Sequence, residues 1–113
     1  MKLSQKQSVF ALNIASLINY IDKSGYSVTF GDAYRSPELA RLYAKQGKGI
    51  IKSLHCQRLA IDLMLHNKAG DWVTEPSEYK PFGTFWKSLN PANRWGGDFT
   101  KRIDAVHFEM QNL

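Results

Sequence analysis

The succession of sequence signals in this chain of 113 residues predicts an α+β domain, with helices packed on a small antiparallel sheet. Two observations carry that expectation. Apolar residues recur at helical spacing between residues 9 and 21 and again between 77 and 89, while short apolar runs near 26–33, 59–65 and 106–110 read as strands. The coarse order is α, β, α, β, β, α, β, and the length suits a single domain, 1–113, with one modest core.

Each element has its own local reasons. Ser4 followed by Gln7 is a capping-box signature, and Phe10, Ile14, Leu17, Ile18 and Ile21 then line one helical face up to Gly25, a natural stop. Tyr26 to Ala33 reads as a strand with Val28 and Phe30 on one side. Ser36-Pro37-Glu38 opens a second helix, because serine caps and proline needs no partner for an N–H in the first turn. That helix carries Leu39, Leu42 and Tyr43 and ends at Gly47, before a glycine- and lysine-bearing loop from Gln46 to Ser53. Leu59 to Leu65 suits a central strand, Asn67 to Gly70 a turn, and Asp71 to Thr74 a returning paired strand. A third helix is expected from Ser77 to Leu89, with Pro81 in its first turn or breaking it. Arg94 to Phe99 reads as a compact aromatic and glycine loop, and Val106 to Met110 as the last strand. Trp72, Trp86 and Trp95 are core candidates, and the loop carrying Trp95 is also a candidate to line a cleft.

Composition narrows the functional classes. The single cysteine, Cys56, excludes an intrachain disulfide framework and fits folding in a reducing cytoplasm. The N-terminal residues lack the apolar core of a signal peptide, and no run approaches the roughly 18 apolar residues of a membrane-spanning helix. A net charge of +5 suits a polyanion such as the bacterial envelope, or simply a solvated basic surface. No nucleic-acid motif or aromatic-basic stacking stripe is present, so no nucleic-acid partner is expected.

The chemistry concentrates in two places. Ser53-Leu-His-Cys-Gln-Arg-Leu-Ala-Ile-Asp62 sets an imidazole and a carboxylate seven positions apart, and Asp104-Ala-Val-His107 adds one of each. An aspartate inside an apolar strand needs a cation, a cluster of donors or a wet sheet face, since burying a bare carboxylate is costly. Taken alone, Asp62 reads as solvent-facing, His55 as a surface or capping histidine, Asp104 as a turn former and Arg35 as a surface ion-pair partner. Taken together, His55, Asp62 and His107 are a zinc set for hydrolysis, with a coordination position left for water and Asp104 as the base. Arg35 could stabilise an oxyanion or hold a substrate carboxylate. The set makes demands on the fold. Seven extended residues span roughly 23 Å, so the chain must turn back between Cys56 and Leu59, and it must bend near Ala105 for Asp104 and His107 to share one pocket. His66 falls at a turn and reads as a surface residue.

The ordered set Ser53-Leu-His55, Ala60-Ile-Asp62, Trp95-Gly-Gly-Asp-Phe99 and Asp104-Ala-Val-His107, with Tyr34-Arg35-Ser36 upstream, resembles a known family. It is similar to the zinc D,D-carboxypeptidases and L-alanyl-D-glutamate endopeptidases of bacterial cell walls and phage endolysins, over residues 26 to 110. The resemblance implies the hedgehog-like zinc peptidase fold, a Zn2+ held by His55, Asp62 and His107, Asp104 as base and Arg35 on the transition state. It further implies substrate contacts from Ser53, Tyr34 and Trp95. One position departs from the pattern: Arg58 stands where the family has glycine, so a different turn and altered local contacts are expected there.

The function so implied is hydrolysis of peptidoglycan stem peptides, as a phage endolysin cutting between L-alanine and D-glutamate. A D-alanyl-D-alanine carboxypeptidase of the same fold and a non-catalytic, cell-wall-binding zinc domain are the alternatives. The enzyme would act as a monomer, held in the cytoplasm of an infected host until released to the wall.

Overall fold

The structure, a computed structural model, describes residues 1–49 and 53–113. Residues 50–52 of the expected glycine-lysine loop lie outside the described residues. The element order is α1 (Leu3–Lys23), β1 (Ser27–Phe30), α2 (Pro37–Lys45), β2 (Ala60–His66), α3 (Pro76–Leu89), β3 (Asn93–Trp95) and β4 (His107–Met110). The strands form one antiparallel sheet in the order β1-β2-β4-β3. This is the expected α+β arrangement of helices on a small antiparallel sheet. No helix among the described residues is long and apolar enough to cross a membrane.

Alternation decides which face of the sheet meets the helices. Ile61, Leu63 and Leu65 of β2, Phe108 and Met110 of β4, and Trp95 of β3 are buried against Phe10, Ile14, Leu17 and Ile21 of α1 and Tyr79, Phe82 and Trp86 of α3. Each such apolar side chain contributes about 1.5–3 kcal/mol on leaving water. Trp86 ties the layers together, because its indole N–H is shared between the carbonyls of Arg94 (3.0 Å) and Glu109 (3.1 Å). Buried Tyr79 is likewise satisfied: its hydroxyl accepts from the Leu65 N–H and donates to the Val73 carbonyl. The alternate residues Asp62, His107, Glu109 and Arg94 therefore point away from these helices, onto the other face of the sheet.

Several expectations are corrected. The capping pair of α1 is two residues earlier: the Lys2 N–H donates to Gln5 Oε1 at 2.7 Å, Ser4 is already helical, and Gln7 reaches across to the Gln57 carbonyl. In α2, Ser36 caps as expected by accepting from the Leu39 N–H, but the fully buried residue is Ala40 and Leu42 is exposed. Phe30, expected to pack beside Val28, is exposed on the edge strand. Residues 71–74 contribute a single bridge, Trp72 to His66, and Trp72 is exposed rather than core. The fourth strand is instead Asn93–Trp95, inside the stretch read as a loop. Pro76 takes the first turn of α3, and the helix runs unbroken through Pro81. The carbonyl that Pro81 leaves without a helical donor belongs to exposed Ser77, where water can serve it.

Candidate active site

The turn that brings the ligands together is built locally. Ser53 Oγ accepts the His55 N–H at 3.2 Å and caps a short 3-10 helix, Leu54–Gln57. Arg58 then reverses the chain in the left-handed region, at φ 56° and ψ 36°, the single non-glycine residue with positive φ among the described residues. Arg58 thus adopts a backbone that glycine takes most readily, and it lays its guanidinium 4.1 Å over the Tyr34 ring. Tyr34 accordingly sits on this outer contact and does not line the cleft. The neighbouring segment is threaded onto the same turn, since the Arg35 N–H donates to the His55 carbonyl and the Asp62 N–H to the Asp32 carbonyl.

Asp62 and His107 are direct cross-strand partners in the β2–β4 ladder, which puts their side chains on one face. His55 Nε2 lies 3.4 Å and His107 Nδ1 3.3 Å from Asp62 Oδ1, and ligand atoms of all three residues fall within 4.8 Å of one another. The distances from Asp62 lie at the long end of the hydrogen-bond range. The two separations from Asp62 match the edge of a tetrahedron around one ion, because donors about 2.0–2.1 Å from zinc at the tetrahedral angle lie about 3.4 Å apart. The electrostatics agree. Burial works to raise the Asp62 carboxyl, but hydrogen bonds to His107 and His55 and their charges hold it well below the usual carboxylate range. Burial works to lower His107, but Asp62 and Glu109 outweigh it and push the imidazole up to about 9. The cluster favours positive charge at its centre, which is what a divalent cation provides. Two imidazoles and a carboxylate suit zinc in kind as well as in spacing. His66, bonded to Thr29 and the Gly70 carbonyl, takes no part.

Sequence reasoning assigned no role to Glu109 and Arg94. Glu109 Oε1 meets His107 Nε2 at 2.7 Å, while its other oxygen takes Arg94 Nε at 2.7 Å and Arg94 Nη2. Occupying Nε2 leaves Nδ1 as the nitrogen that faces Asp62, so the carboxylate fixes both tautomer and ring orientation. Burial opposes ionisation of Glu109, yet His107 and Arg94 lower its pKa. Period-two spacing from His107 was the available signal.

Asp104 precedes the strand. Its carbonyl accepts the His107 N–H at 3.1 Å, which supplies the expected bend and lets both residues line one cleft of roughly 290 Å³. Although Asp104 is exposed as a residue, partial burial of its carboxyl and the charge of Asp62 raise its pKa, a shift that favours proton acceptance. Arg35 lines the same cleft, held by Asp32 at 2.9 Å, and its buried Nε has no partner among the described residues. Ser53 lines it too.

Trp95 does not line the cleft. It is 4% exposed, in the core, and its Nε1 donates to the Ala105 carbonyl at 2.8 Å. A Cβ on Gly83 of α3 would fall 2.3 Å from its ring and one on Gly97 2.1 Å, so both glycines are needed for the indole to fit. Trp95 therefore acts on the site by holding the segment that carries Asp104.

The fold and the site together define a class: small α+β proteins presenting a His–Asp–His cluster, spaced as metal ligands are, on one face of an antiparallel sheet. The sequence model of the D-alanyl-D-alanine carboxypeptidase family matches residues 46–110, more than half of the chain, and the chain belongs to that family. Its fold is similar to that of the L-Ala D-Glu endopeptidase ChiX of Serratia marcescens, seen in a crystal structure. The two share 20% identity at a TM-score of 0.65, over 75% of this chain and 67% of that one. No curated protein sequence matches the chain.

Proposed function

We propose that the protein is a zinc metallopeptidase that hydrolyses peptidoglycan stem peptides at the bond between L-alanine and D-glutamate. One observation carries the reading: His55, Asp62 and His107 converge on one point, in a cleft that Asp104 and Arg35 also line. Family membership and the fold likeness to an L-Ala D-Glu endopeptidase support the substrate class.

Zinc, when held by His55, Asp62 and His107, supplies Lewis acidity toward water and the scissile carbonyl. The rest is done by the chain. Asp104 takes the proton of the attacking water and delivers it to the leaving amine, and its raised pKa suits both transfers. Arg35, whose guanidinium Asp32 fixes in the cleft wall, stabilises the developing oxyanion with its positive charge. Glu109, backed by Arg94, keeps His107 presented through Nδ1. Ser53, buried in the cleft wall beside the first ligand, positions substrate there.

Deployment as a phage endolysin, monomeric and cytoplasmic until it reaches the wall, belongs to the same proposal and is supported by a net charge of +5 toward an anionic envelope. A second reading, a D-alanyl-D-alanine carboxypeptidase, is favoured by the description of the matching family. Mass spectrometry of purified peptidoglycan incubated with the zinc-loaded protein, with and without chelator, tests both. New amino-terminal D-glutamate that disappears with chelator is expected. Release of D-alanine alone would favour the carboxypeptidase, and intact peptidoglycan would overturn both.

A further inference from the structure

Among the described residues four lysine and arginine side chains line the cleft, and two of them are already engaged. Arg94 is bound to Glu109, and Arg35 is held by Asp32 with its guanidinium 5.0 Å over the Tyr43 ring. Lys48 and Arg102 make no ion pair and no side-chain hydrogen bond among the described residues, and both are exposed. They come from different segments, Lys48 from the turn after α2 and Arg102 from the loop before β4, yet both line the same cleft. Of the carboxylates there, Glu109 is committed to Arg94 and His107 and Asp62 to the two histidines, while Asp104 makes no ion pair among the described residues and leaves the cations of the cleft in excess. With a divalent ion in the cluster the rim is strongly electropositive, and low-dielectric walls focus that potential.

We infer that Lys48 and Arg102 form a carboxylate-reading subsite, which makes the free carboxylate of the D-glutamyl residue a determinant of cleavage. This rests on the peptidase reading above. The chemistry of the substrate fits. A D-glutamyl residue has two carboxyl groups and needs only one to continue the peptide, so the other stays ionised on the residue that bears the scissile nitrogen. A guanidinium and an ammonium at the rim meet that charge, and a primary amide in its place leaves both cations without a counter-charge.

The test uses the full zinc-loaded chain and two synthetic stem peptides that differ only at that group, free acid in one and primary amide in the other. The acid is expected to be cleaved about tenfold or more efficiently in kcat/KM, as befits a hydrogen bond between charged groups. The double variant K48Q/R102Q should cleave the two peptides with equal efficiency, and added salt should narrow the wild-type preference. Equal cleavage of acid and amide by the wild type would overturn the inference while leaving the peptidase reading intact. A preference that survives in the double variant would also overturn it. Cleavage of neither peptide would remove the peptidase reading and the inference with it.

Discussion

Substituting Arg58 separates two opposed contributions at the turn between the first and second ligands. The left-handed backbone, at φ 56° and ψ 36°, costs a residue with a Cβ about 1–2 kcal/mol relative to the right-handed region. The guanidinium stacked 4.1 Å from the half-exposed Tyr34 ring returns about 0.5–1 kcal/mol. Arg58→Ala keeps the backbone cost and loses the stack, so it should destabilise by about 0.5–1 kcal/mol. Arg58→Gly loses the stack and adds about 0.5–1 kcal/mol of unfolded-chain entropy, but it removes the steric cost, leaving stability near that of the wild type. The wild type and the glycine variant are thus expected close together, with the alanine variant lowest. Urea unfolding followed by tryptophan fluorescence reads the order directly. A glycine variant less stable than the alanine variant would show that the left-handed turn carries no steric cost here, and the reasoning would fail.

Three further outcomes follow from the site. Asp104→Asn should retain zinc by elemental analysis and lose roughly 100-fold or more in turnover; unchanged hydrolysis would remove Asp104 as the base. Glu109→Gln should weaken zinc binding by about 10–100-fold in a chelator competition, since the His107 ring loses the carboxylate that orients it; an unaltered affinity would assign the pair a role in packing alone. Gly96→Ala places a Cβ 2.2 Å from the Asp104 backbone oxygen, so the loop must shift, at a cost of about 1–3 kcal/mol. Thermal unfolding indistinguishable from the wild type would count against that close approach.

Asp62 was legible because it was costly where it stood, whereas His55, His107, Asp104 and Arg35 stood out only as members of an ordered set with it. An aspartate between Ile61 and Leu63 demands partners, and the structure supplies the two histidines. The architecture was legible from periodicity in α1, β2 and α3. What escaped depends on contacts distant in sequence. Asn93–Trp95 looked like a loop because glycines follow it, and its pairing with β4 is a matter of register. Arg94 reaches Glu109 only through that register. Trp95 is core, one of the two readings the sequence allowed, and the cleft stayed open as the other because nothing local shows that Gly83 leaves the indole a slot. The left-handed backbone of Arg58 was not legible either, since an arginine's intrinsic preference points away from a conformation that the surrounding fold imposes.

The stretch between β3 and β4 is closed at its neck by a single carbonyl. Gly96 O accepts both the Phe99 N–H (3.2 Å) and the Asp104 N–H (2.9 Å), and the Trp95 indole clamps Ala105 just beyond. Thr100 to Ile103, the tip of this loop, are all exposed. A tip that hangs from a closed neck can be lengthened, recharged or exchanged without moving Asp104 at one end or the core at the other. Relatives built this way are free to diversify in what they recognise while their chemistry stays put, and grafting loop tips between them is a direct route to altered wall specificity.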